Sequence, residues 1–185
     1  GEQVILSLQC ARFLLKAVAD IKAGGAVADS AKYLAEAPLV TADLSSPQGL
    51  VALLKDRARR VAFRTAAKFE AARASGLGFD EALNSVAAQA CKASECHVGY
   101  FMMLNNMLAV DTYFETEPST KAVMTALLQL HGLIQVRENL GDWVGLVTEA
   151  LVDELEDRVA AALTRVRPEA VSLVDAFGFL DSQLD

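Results

Sequence analysis

Three side chains that bind metals or act as nucleophiles fall close together, at Cys91, Cys96 and His97. On a helix, Cys96 lies about 140° and His97 about 240° around from Cys91, at about 100° per residue. They cannot converge on one ion without further ligands, so buried thiols and a hydrogen-bonded histidine are expected and no metal. A Cys–His nucleophile fails on the same geometry, because neighbours on a helix point apart and no third orienting group is evident. His131, beside Gly132 on an apolar stretch, reads as a core or interface histidine.

Two charge runs complete the candidates. Lys55, Arg57, Arg59, Arg60, Arg64 and Lys68 could suggest phosphate binding. Asp56 and Glu70 interleave, however, and the run spreads around its helix, which fits a solvated face or salt bridges between subunits. Asp153, Glu154, Glu156 and Asp157 occupy the outward side of an amphipathic helix. A di-iron site would need Glu three residues before His on two helices, and neither histidine has one. The residues by themselves therefore point to no catalytic chemistry.

The elements that position these groups read as helices throughout. Hydrophobic residues are 53% of the 185 and charged ones 22%, which supports a sizeable core in one domain, or one domain plus part of another. Ala is abundant and no stretch alternates with period two. The spacing predicts helices over 3–22, about 27–36, 47–75, about 80–114, 118 to about 134, 149–166, and a short last one from Pro168. Gly24 and Gly25, Gly76 and Gly178 close segments, while Ser46–Pro47, Asp80, Pro118 and Thr148 open them. The expected architecture is all-α, an antiparallel helical bundle.

Charge and cysteine usage narrow the function classes. A formal charge of -7 argues against a nucleic-acid surface. Three cysteines do not make a disulfide framework and fit a reducing compartment. The apolar runs are broken every few residues, so no membrane insertion is expected. The opening has no charged leader, so no secretory signal is expected. The first helix is apolar on most sides and has no cap, and it should need neighbours on those sides.

Three stretches resemble the peroxisomal acyl-CoA oxidases. "GEQVILSLQCARFLLK" is similar to the family's GENTV-x-x-LQ-x-ARFL-x-K segment. "ASECHVGY" is similar to ASE-x-H-x-x-Y, matching at Ala93, Ser94, Glu95, His97 and Tyr100. "RPEAVSLVDAFGFLD" is similar to R-x-x-AV-x-LVDAF-x-F-x-D, matching at Arg167, Ala170, Val171, Leu173 to Phe177, Phe179 and Asp181. The matches come in the family's order; residues 23–46 carry least of it, and "HGLIQVRENLGDW" carries only a Gly-Asp-aromatic element.

The resemblance implies the C-terminal helical domains of an acyl-CoA dehydrogenase-like flavoprotein. Residues 1–46 would end the first of these domains and residues 47–185 would form the second. The implied reaction takes acyl-CoA and O2 to trans-2-enoyl-CoA and hydrogen peroxide with FAD, in a peroxisomal homodimer. The family's general-base Glu would fall immediately before Gly1, so no catalytic residue is expected within the chain, which would be inactive alone. Gly1 would lie at the substrate thioester, and Glu2, Gln3 and Val4 near FAD. Related dehydrogenases carry Thr-x-Gln at those last three positions, and Glu2 and Val4 depart toward the oxidases. A dehydrogenase fragment and a stand-alone helical interaction module are the alternative expectations.

Overall fold

The computed structural model describes residues 2–179 and Gln183. Among them there are α-helices and 3₁₀ turns and no strand, as the periodicity requires. The helices are α1 (Gln3–Lys22), α2 (Pro47–Ala74), α3 (Phe79–Ser85), α4 (Ala87–Tyr113), α5 (Pro118–Arg137), α6 (Glu149–Val166) and α7 (Ala170–Asp175).

α2 is the central post, packing against α1, α4 and α5. Leu50, Leu53, Leu54, Ala58, Val61, Ala62 and Ala66 recur every three or four residues and are all buried. Its start is held locally. The Ser46 hydroxyl accepts from the Gly49 N–H at 3.0 Å, Pro47 sits in the first turn, and Asp43 accepts from the hydroxyls of Ser45 and Ser46.

α4 crosses α2 through small residues, with Ala90, Ala93, Ser94 and Cys96 buried. α5 comes equally close at Gly132, where an added Cβ would stand 3.0 Å from both Leu50 and Met103. α6 packs on α5 through Leu155 and Val159, with the Thr148 hydroxyl capping the Leu151 N–H at 3.2 Å. One apolar cluster runs from Ala11 on α1 to Val159 on α6.

The structure departs from the sequence reading in three places. The stretch expected as one helix from Asp80 is two, α3 and α4, broken where Val86 takes φ −115° and ψ 15°. The break lets Ala82, Leu83 and Val86 all be buried, and α3 begins beyond Gly78, whose N–H donates to Glu81. Residues 29–35 form a 3₁₀ turn (Asp29–Ala35) rather than an α-helix, burying Ala31, Tyr33 and Leu34. Pro168 lies in a 3₁₀ turn (Arg167–Glu169) that joins α6 to α7. α1 ends as expected, with Gly24 at φ 73°, a conformation that costs a side-chain-bearing residue but not glycine.

Candidate functional site

The start of α1 is where the resemblance places flavin contacts, and it is open. Gly1 lies outside the described residues. Glu2, Gln3 and Val4 are exposed, and Glu2 precedes the helix without any side-chain cap on its first N–H groups. The apolar residues that follow are uncovered too: Val4 is 51% exposed, Ile5 58% and Leu6 59%. From Ala11 onward the same helix is buried at Leu14, Leu15, Ala17 and Val18. Packing within the chain thus covers the second half of α1 and leaves the first half bare. Complete burial of such side chains is worth about 1.5–3 kcal/mol each.

Below this end runs a groove of about 600 Å³ between α1, α4 and α5, lined by Gln3, Leu6, Cys10, Glu95, Met102 and His131 among others. A second apolar groove of about 500 Å³ continues it past Met102 and His131 to Phe114 and Met124. His131 is therefore exposed, which overturns the core half of the expectation of a core or interface histidine. Its neighbour Gly132 faces the core in its place.

The residues of "ASECHVGY" divide between this groove and the interior. Ser94, His97 and Tyr100 are buried and Glu95 is exposed. His97 is hydrogen-bonded, as expected, with its Nδ1 2.9 Å from the Tyr33 hydroxyl. The Tyr33 and Tyr100 rings lie 4.9 Å apart and those of His97 and Phe101 4.8 Å apart. The stretch thus pins the Asp29–Ala35 turn onto α4. Tyr33, its main partner, carries no signal in the sequence.

Burial holds the His97 imidazole below its ordinary value of 6.5 and pushes the Cys96 thiol up to about 11, so neither is poised for catalysis. A base whose pKa is depressed by folding binds its proton more readily in the unfolded chain. Its contribution is therefore intact above about pH 6.5 and is lost as pH falls below that value. The midpoint of thermal unfolding should drop as pH falls below about 6.5, and His97→Gln should flatten that limb. An equal drop in both proteins would contradict the assignment.

Much of the basic run on α2 is paired within the chain. Arg57 donates through Nε to Asp142 Oδ2 at 2.8 Å and through Nη2 to Asn139. Arg64 and, from α4, Lys92 reach the other oxygen of Asp142 at 3.1 and 2.7 Å. Arg60 pairs with buried Asp56, and Lys55 with Glu36. Desolvation pushes the Asp142 carboxyl up, but hydrogen bonds from Lys92 and Arg57 and their charges outweigh it, and the group sits below the usual carboxylate range. The Gly-Asp-aromatic element is thus a buried clamp between α2, α4 and the turn at Leu140–Trp143. Among the described residues no cluster of His, Cys, Asp or Glu could hold a metal, and no helix is long and apolar enough to cross a membrane.

Among the described residues the scaffold is all-helical, and the start of α1 is both exposed and without a side-chain cap. Comparison with known proteins gives its family. The acyl-CoA oxidase family model matches residues 46–185, and the chain belongs to that family. An acyl-coenzyme A oxidase of Caenorhabditis elegans, acox-1.2, is 35% identical over the whole chain, which covers 28% of that protein. Human peroxisomal acyl-coenzyme A oxidase 1 is 28% identical, with 30% of its length covered. Among solved structures, C. elegans acyl-CoA oxidase-2 bound with FAD, ascaroside-CoA and ATP superposes over the whole chain with a TM-score of 0.92 at 33% identity; the chain covers 28% of it. The chain thus spans under a third of the length of these relatives.

Proposed function

We propose that this chain is the C-terminal helical portion of a FAD-dependent acyl-CoA oxidase acting in peroxisomal fatty-acid β-oxidation as a homodimer. The observation that carries the proposal is the exposed, uncapped start of α1 in a chain of this family. Residues 1–46 end the first C-terminal helical domain and residues 47–185 form the second, a division supported by the family match beginning at residue 46.

The residues present fit an edge of a flavin site. Amide groups at a helix start attract phosphate and carbonyl oxygens, and no side-chain cap competes for them here. Val4, Ile5 and Leu6 offer an apolar surface for a ring or a neighbouring domain. Glu2, Gln3 and Val4 would line the flavin, and Gly1 the substrate thioester. The general-base Glu belongs immediately before Gly1, where a rigid helix start holds a carboxylate near C2 of the acyl group. FAD, when bound, would supply the acceptor for the C3 hydride and the route of the electrons to O2, giving hydrogen peroxide. The helix start would mount the base and shape one wall, and the buried half of α1 anchors it in the bundle.

Residues 1–185 alone should therefore show no palmitoyl-CoA-dependent peroxide above a buffer control. Turnover by this segment would sink the assignment of the catalytic groups to other parts of the protein.

A further inference from the structure

One cationic groove is left unused by the flavin edge. It lies between α2 and α4 beside Asp142, has a volume of about 220 Å³, and is walled by Arg64, Lys68, Gln89 and Lys92. Asp142 is the one carboxylate lining it, and that residue is only 6% exposed. Three cations converge on this single negative charge. The cluster therefore keeps an excess of positive charge, and the exposed pair, Arg64 and Lys92, present it to the groove. Lys68 adds a further positive charge and has no partner among the described residues.

The donors are also under-used. Arg64 gives Asp142 one of five N–H groups and Lys92 one of three. Their side chains remain 55% and 46% exposed, facing outward. The Thr65 hydroxyl, by contrast, is committed to the Val61 and Gln89 carbonyls and only shapes the floor. In a chain of net charge -7, a local excess of positive charge with free donors in a concave site matches a compact polyanion.

We propose that this groove binds a diphosphate group, with Arg64 and Lys92, preset by Asp142, gripping it from two helices and Lys68 closing the outer side. The groove has room for one or two phosphates but not for a base and ribose, which would have to lie outside it. Binding there would tie α2 to α4, the two helices that Asp142 already clamps. The proposal does not depend on the flavin chemistry.

Inorganic pyrophosphate and adenosine diphosphate, titrated into the full-length protein at constant ionic strength, test this by calorimetry and by the unfolding midpoint. The expected result is saturable binding of pyrophosphate that raises the midpoint. Lys68→Glu should weaken that binding roughly tenfold or more, the scale of a lost charge-assisted contact replaced by a repulsive one. Arg64→Gln should act in the same direction. Lys68 makes no bond among the described residues, so its variant tests binding without disturbing the clamp. Arg165→Glu, on α6, should bind as wild type. Tighter binding of adenosine diphosphate would identify a nucleotide as the source of the group, and equal binding a free diphosphate. No saturable binding of either probe, or binding unchanged in both Lys68→Glu and Arg64→Gln, would overturn the proposal.

Discussion

Asp142→Asn is expected to lower stability by about 3–5 kcal/mol, the range for removing one partner of a buried ion pair. The loss comes from Arg57, which is 8% exposed and would keep its charge with no carboxylate to face. Arg64 and Lys92 can turn to water and should contribute little. Arg57→Met alone should also be costly, since it strands the Asp142 carboxylate, but the double variant should lose less than the sum of the two. Urea denaturation of all three proteins measures this cycle. A cost below about 1 kcal/mol for Asp142→Asn, the level of an exposed pair, would show that burial does not tighten the clamp as its geometry implies. Because folding depresses the Asp142 pKa, its contribution is present above the ordinary carboxylate value of 3.8 and is lost as pH falls through the folded one. That acid limb begins at 3.8 and the His97 limb at 6.5, so the two start at different points of one pH series.

Gly49→Ala is the second large effect, and its sign opposes helix propensity. In the first turn of α2, Ala would ordinarily be favoured over Gly by about 1 kcal/mol. Here a Cβ would collide with the carbonyl oxygen and the carboxylate of Asp43. The backbone oxygen cannot rotate away, so the 43–46 connector must move. Moving it breaks the bonds by which Asp43 holds Ser45 and Ser46 and by which Ser46 caps Gly49. Overpacking and a lost cap together give an expected cost of about 2–4 kcal/mol. Removing the carboxylate as well, in Gly49→Ala with Asp43→Ala, should recover only part of it, because the carbonyl remains. A stabilised single variant in thermal unfolding would show that the connector yields freely.

What is legible in the sequence depends on the range of the signal. Ser46–Pro47, Pro118 and Thr148 act on the next three residues, and each opens its helix as expected. The α2 stripe is equally plain, because its spacing repeats turn after turn. The break at Val86 is not, since Val is tolerated in helices and only the burial of Ala82, Leu83 and Val86 together selects the bend. Apolar neighbours suggest an inward place for His131, yet the face it shares with Met102 has no cover within the described chain. Arg57 and Asp142 stand 85 positions apart, and no local pattern announces such a pair. The site itself is readable only by resemblance: Gln3 and Val4 are ordinary helix residues until a family gives their position meaning.

Acyl-CoA added to the full-length protein, loaded with FAD, in air-equilibrated buffer gives the most direct test of oxidase function. The expected result is hydrogen peroxide and trans-2-enoyl-CoA in equal amounts, with the flavin returning to its oxidised spectrum without any added acceptor. A flavin that is bleached by acyl-CoA and stays reduced in air until an electron-carrier protein is supplied would contradict it.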